Sequence, residues 1–247
     1  FIGQEICIQI LKNGGNLIAV GNNRAKLNNL KILLKKNGFE NFSIHSVNLQ
    51  KTRSINDFKK IISKRYKYIS GIVNCAYSGN AGDLSLVNEK DFIHSNELNV
   101  IAPFKLIMTF EKMLSNNYKF NGNYASIVNI SSIYGLISPN PKNYSLPKDA
   151  NPVNYGVSKA AMNQLTKYLS VFLINKKIRT NSISPGAFPD IKKINNKRFI
   201  NKLITNIPIA RIGKPLEVAE PTVFLLSESS SYINGSNIII DGGWTVW

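Results

Sequence analysis

Tyr155 and Lys159 stand four residues apart in a helix-like stretch, and Ser132 closes an apolar run upstream. A phenol, an ammonium and a hydroxyl are the groups needed to pass a proton to or from an alcohol oxygen. Residues four apart share a helix face, so the ammonium can approach the phenol. Two unit charges about 5 Å apart at an effective dielectric of about 20 attract by about 3 kcal/mol. Each pH unit is worth about 1.4 kcal/mol, so the spacing predicts a Tyr155 pKa drawn down from about 10 by about two units. That would bring it towards the range useful to a general acid-base near neutrality.

The same spacing recurs at Tyr144 and Lys148, but Pro147 lies inside it and opposes a regular helix. Tyr155 and Lys159 lie instead on Asn154 to Asn175, where Ala160, Ala161, Leu165, Leu169 and Phe172 recur at helical spacing. Pro152 suits the start of that helix. The pair with a continuous helix beneath it, Tyr155 and Lys159, is the candidate.

The elements that must hold these groups alternate between strand and helix, the pattern of a doubly wound parallel α/β sheet. Helices are expected over Gly3–Leu11, Arg24–Lys36, Ile55–Arg65, Asp91–Leu114, Asn154–Asn175, about Ile191–Asn206, and Leu216–Leu226. Strands are expected over Asn16–Gly21, Asn41–Val47, Tyr68–Cys75, Ala125–Ser131, Ile178–Ser184 and Asn237–Ile240. The 247 residues suffice for one α/β domain with a full core.

The formal charge is +17, yet Lys and Arg are scattered and form no block of five or more. No nucleic-acid-reading motif accompanies them, so nucleic acid is not an expected partner. No stretch reaches the roughly 20 apolar residues of a membrane span, and no signal peptide opens the chain. Cys7 and Cys75 lie among apolar residues, as suits free thiols in a reducing cytoplasm. No Cys/His cluster has metal-ligand spacing.

Six segments then fall in order: Asn74-Cys75-Ala76, Asn99-Val100, Ile127-Val128-Asn129-Ile130-Ser131-Ser132, Tyr155-Gly156-Val157-Ser158-Lys159-Ala160-Ala161, Asn181-Ser182-Ile183-Ser184-Pro185-Gly186, and Ile239-Ile240-Asp241-Gly242-Gly243. Together they resemble the short-chain dehydrogenase/reductase family over nearly the whole chain. The resemblance implies a single Rossmann-like NAD(P)-binding domain over residues 1–247. It implies Tyr155 as proton donor or acceptor, and Lys159 as the cation that lowers its pKa and holds the nicotinamide ribose. Ser132 would hydrogen-bond the reacting oxygen, and Asn99 would order a water between Lys159 and solvent. Ser131 is the rival of Ser132; Gly135, three residues past Ser132 as in the family motif, favours Ser132.

In the resembled family a strand and a glycine-rich turn precede the first helix. Gly3 matches the last glycine of that turn and Ile2 the residue before it. The resemblance therefore predicts an N-terminally truncated chain, lacking its first strand, that binds dinucleotide weakly as written. Of the cofactor contacts, Ile2 and Gly3 would face the phosphates at the helix N-terminus. Gly21 stands where an acidic residue would bind the ribose of NAD, while Asn22 and Arg24, with Lys26 nearby, suit the phosphate of NADP. NADP is therefore favoured over NAD. Asn48 and Leu49 would lie near adenine, and Asn74 and Ala76 would border the cofactor, with Tyr77 in place of the usual glycine. Pro185, Gly186 and Phe188 would lie by the nicotinamide, with Asp190 near the position where many members carry threonine.

Ser132 and Tyr155 are farther apart than is common in the family. The intervening Leu136 to Val153 holds Pro139, Pro141, Pro147 and Pro152 and is expected beside the substrate. This pattern is most similar to the flagellin-modification and surface-polysaccharide branch, which implies a small-molecule sugar or sugar-nucleotide substrate. The alternatives are a 3-oxoacyl-thioester reductase and a catalytically inactive dinucleotide-binding regulator. A homo-oligomer, dimer or tetramer, is implied by the resemblance alone.

Overall fold

Helices and strands alternate through most of the computed structural model, which describes every residue except Asn80, Ala81, Lys192, Lys193 and Asn195. In chain order these are α1 (Ile2–Lys12), β1 (Leu17–Gly21), α2 (Arg24–Lys36), β2 (Phe42–Ser46), α3 (Thr52–Arg65), β3 (Gly71–Asn74), α4 (Glu89–Asn96), α5 (Ala102–Asn121), β4 (Ala125–Ile130), α6 (Val153–Phe172), β5 (Ile178–Pro185), α7 (Lys197–Ile204), α8 (Leu216–Leu226) and β6 (Asn237–Ile240). The helix expected over Ile191–Asn206 shortens to α7; Lys192, Lys193 and Asn195 of that expectation lie outside the described residues.

Every ladder is parallel. The strands form two hydrogen-bonded groups, β1-β2 and β3-β4-β5-β6. Among the described residues no ladder joins β1 to β3. Both sides still feed one core: Ile18 and Val20 of β1 and Ile72 of β3 pack around Leu106 and Phe110 of α5. On the other side Ile6 of α1 meets Val218, Ala219 and Leu225 of α8.

β4 and β5 are buried along their whole length, as strands covered on both faces must be. Most of their polar side chains are therefore paired, although Arg179 Nε and Thr180 Oγ1 are buried without a partner. Ser126 Oγ donates to Leu225 O at 2.6 Å. Arg179 donates to the carbonyls of Ile233, Leu225 and Ser227 and fastens the end of α8 to β5.

The single helix expected over Asp91–Leu114 is interrupted by a π turn over Glu97–Ile101. Pro103 causes the break: it has no N–H for the carbonyl of Asn99, four residues back, and its ring crowds that carbonyl. The turn widens instead, and the Ala102 N–H reaches Glu97 O. α5 then continues past Leu114 to a left-handed Gly122, φ 75°, a common helix stop.

Candidate active site

β4 delivers Ser131 and Ser132 side by side, both buried, and the structure gives them different tasks. Ser131 Oγ donates to the backbone carbonyl of Lys159 at 3.0 Å, so it anchors α6 to the sheet. Ser132 Oγ accepts the Tyr134 N–H at 3.1 Å and lies near enough to the Tyr155 phenol to hold its pKa down. Gly135 makes this approach possible: a Cβ there would lie 2.7 Å from Lys159 C. The short turn Ile133–Gly135 can therefore press directly on the α6 backbone.

The electrostatics differ from the expectation drawn from spacing. Burial pushes the Tyr155 phenol up to about 12; the Ser132 hydrogen bond opposes this, while Tyr77 and Cys75 add to it. Burial pulls the Lys159 ammonium down to about 8, with Cys75 pushing the other way. The predicted lowering of Tyr155 by Lys159 is not what the structure shows. Lys159 Nζ lies 5.6 Å from the centre of the Tyr155 ring and bonds to Ile130 O at 2.8 Å. Two groups taken out of water together lose more hydration than their partial attraction returns. Near neutrality the pair is a neutral phenol beside an ammonium.

Asn99 is buried in the π turn, and its amide is committed. Nδ2 donates to Ser78 O and to Ser158 Oγ, each at 2.8 Å, and Oδ1 accepts the Ser78 N–H at 2.7 Å. Ser158 Oγ in turn donates to Tyr155 O at 2.8 Å. The amide thus ties the segment after β3 to α6; both its donors are spent on protein, so the expected water contact finds no side-chain donor left.

That segment also touches Tyr155 directly. Tyr77 meets it edge-on with ring centres 6.0 Å apart. A Cβ at Gly79 would lie 3.0 Å from Tyr155 Cδ2. Tyr77, Gly79 and Ser158 were not singled out as site residues from the sequence. Only the Tyr77 replacement of a usual glycine gave a signal.

Apart from the start of α1 and from Tyr155 and Lys159 of α6, the residues expected to hold a cofactor lie at or just past the carboxyl ends of parallel strands. Gly3 stands beside the end of β3, a Cβ there falling 3.4 Å from Cys75 Sγ, and α1 begins with no side-chain cap. Asn22 and Arg24 are exposed; it is Asn23 that caps α2, accepting the Lys26 N–H at 2.9 Å. Asn48 turns its Oδ1 to the Gln50 N–H at 3.0 Å, and Leu49 packs into the core. Asn74 points inward, donating to Asn129 Oδ1 at 2.8 Å, while Ala76 is exposed. Pro185 ends β5, the Gly186 N–H meets Ile240 O at 2.9 Å, and Phe188 packs against the core near Ile6.

Tyr144 and Lys148 have no helix between them; Tyr144 follows a short turn at Pro141–Asn143 and Lys148 lies in another at Pro147–Asp149. Among the described residues no three His, Cys, Asp or Glu side chains group as a metal site, and no helix is long and apolar enough to cross a membrane.

The chain matches a family model described as Enoyl-(Acyl carrier protein) reductase over residues 2–245. It is similar to the 3-oxoacyl-[acyl-carrier-protein] reductase FabG of Rickettsia felis, 31% identical across 98% of this chain and 91% of that protein. It is also similar to the post-translational flagellin modification protein A of Campylobacter coli, 25% identical across 98% of this chain and 93% of that one. In fold it is similar to the Pseudomonas aeruginosa RhlG/NADP active-site complex, with TM-score 0.88, 23% identity, and coverage of 99% and 92% of the two chains.

Proposed function

The chain belongs to the short-chain dehydrogenase/reductase family of oxidoreductases, and from that premise we propose that it interconverts a carbonyl and a secondary alcohol with NADP or NAD. The observation that carries this reading is the gathering of Ser132, the Tyr155 phenol and the buried Lys159 ammonium, whose Nζ lies 5.6 Å from the Tyr155 ring centre.

The residues present fit a dinucleotide. The uncapped N-terminus of α1 offers backbone N–H groups and a positive dipole end to phosphates. Residues 21–24 carry no carboxylate, and exposed Asn22 and Arg24 offer donors to a ribose phosphate, which favours NADP. The Lys159 ammonium has three donors, one of which goes to Ile130 O, so it can also hold a ribose hydroxyl. A bound nicotinamide supplies or accepts the hydride.

The protein's own groups manage the proton. Tyr155, neutral near pH 7, donates to the oxygen of the carbonyl as it becomes an alcohol; in the reverse direction it accepts. Ser132 Oγ hydrogen-bonds the same oxygen and stabilises the charge that develops there. Lys159 keeps a positive charge close to the phenol below about pH 8 and stabilises the tyrosinate left behind. Asn99 holds the Tyr77–Gly79 wall against Tyr155.

Two substrate classes follow from the relatives. The 31% identity to a 3-oxoacyl reductase over most of both chains favours a 3-oxoacyl thioester. The flagellin-modification relative and the insert between Ser132 and Tyr155 support a sugar or sugar nucleotide. The test is nicotinamide oxidation by purified protein given acetoacetyl thioester or a ketosugar nucleotide, with NADPH and NADH in parallel. Turnover of the thioester alone assigns the first class, and turnover of the sugar nucleotide alone the second. No cofactor-dependent reduction of any carbonyl compound would contradict the oxidoreductase reading.

A further inference from the structure

Tyr144 entered the sequence reading only as a rival to Tyr155. In the structure its hydroxyl lies 3.3 Å from that of Tyr134. Tyr134 belongs to the same short turn as the Ser132 contact, its N–H being the donor to Ser132 Oγ at 3.1 Å. The Tyr155 phenol is near enough to Tyr134 to help raise its pKa. Through Tyr134 the hydroxyl pair is therefore attached to the short turn that follows Ser132.

Two phenols joined by one hydrogen bond use one proton and keep one. Either hydroxyl can be the donor in that bond; when Tyr134 donates, the proton left over is the one on Tyr144. Surrounding contacts hold the donor in place. The Tyr144 ring packs on Phe199 of α7 at 6.0 Å. The insert is tied down by Gly82 N–H on Ala150 O and Asp83 N–H on Pro147 O, each 2.9 Å, and by Asn206 Nδ2 on Asn143 Oδ1 at 3.0 Å. A donor fixed beforehand loses little freedom on binding.

We propose that the Tyr134–Tyr144 hydroxyl pair donates a hydrogen bond to a second oxygen of the substrate, one or two carbons from the reacting carbonyl, and that Tyr144 thereby sets a preference for oxygenated ketones. The proposal rests on the carbonyl–alcohol reading above. Both substrate classes carry such an oxygen: the thioester carbonyl of a 3-oxoacyl chain, or the neighbouring hydroxyl of a ketosugar. A plain ketone leaves the phenolic proton without an acceptor, and a site built to hydrogen-bond an oxygen discriminates against the analogue that lacks it.

The experiment compares kcat/KM of the full-length wild type, Tyr144→Phe, and the double variant Tyr134→Phe/Tyr144→Phe. The substrates are acetoacetyl-N-acetylcysteamine, hydroxycyclohexanone and cyclohexanone, each with NADPH. The wild type should prefer an oxygenated ketone over cyclohexanone. Tyr144→Phe should shrink that preference about tenfold, and the double variant decides if the Tyr134 proton takes over. The oxygenated ketone showing the larger change identifies the source of the second oxygen. An equal loss on all three ketones, as a merely structural tyrosine would give, overturns the proposal, and so does an undiminished preference in the double variant. Turnover of none of the three by the wild type contradicts instead the carbonyl–alcohol reading on which the proposal rests.

Discussion

Lys159→Met separates the stability cost of the buried ammonium from its use. Lys159 is 3% exposed, and burial lowers its pKa from 10.5 to about 8. At about 1.4 kcal/mol per pH unit, that drop costs the folded protein roughly 3 kcal/mol wherever the lysine is charged both folded and unfolded. The folded-state pKa lies below the unfolded one, so the cost is full below about pH 8, shrinks as pH rises, and is gone above the unfolded value. Methionine carries no charge to bury but gives up the bond to Ile130 O, 2.8 Å in the wild type, at a cost of about 1–2 kcal/mol that does not change with pH. Lys159→Met should therefore be the more stable protein at pH 7, by about 1–2 kcal/mol, and the less stable one near pH 10.5. Urea denaturation of both proteins at matched pH values measures this, because titrations common to the two cancel. The difference should swing by roughly 3 kcal/mol across the window. Parallel stability curves would refute the claim that this ammonium is buried at a cost. Turnover should fall in the variant at every pH, since the charge beside the phenol is gone.

Other perturbations address the supports of the site. Gly135→Ala would place a methyl 2.7 Å from Lys159 C; it should push the Ser132 turn off α6, lower kcat about a hundredfold and destabilise by about 1–3 kcal/mol, as read by steady-state kinetics and urea melts. Arg179→Met removes the donors of three carbonyls at the junction of β5 and α8; leaving those acceptors unpaired should lower stability by about 1–3 kcal/mol, seen as a fall in Tm. Arg24→Ala should raise KM for NADPH about tenfold while moving KM for NADH little; equal effects on both cofactors would remove the argument for NADP.

Much of the fold was legible because its signals are local. The α2 boundaries follow from Asn23 as cap and from the helical repeat; those of α8 follow Pro215 and an apolar run. The break before α5 was also written in the chain, in Pro103, but a long apolar repeat outweighed one proline. At the site, the order of motifs led to Ser132 and Tyr155, and the structure places the two close enough to interact. The electrostatic expectation failed for a physical reason. Spacing shows that Lys159 and Tyr155 share a face, but not that both are buried or that Nζ faces Ile130 O. Asn74 and Asn99 read as site-facing because polar residues in a motif invite that reading; their amides are instead spent inside the protein. Gly79 and Ser158 act through contacts far apart in sequence, which no local pattern announces.

The account depends most on the phenol at 155. Single-turnover reduction of a ketone, followed by nicotinamide absorbance, should be slower by about a thousandfold in Tyr155→Phe, with cofactor binding retained. The matched Tyr144→Phe control should keep most of the rate on an oxygen-free ketone. A Tyr155→Phe protein that still turns over within tenfold of the wild type would contradict the assignment of the proton to this side chain.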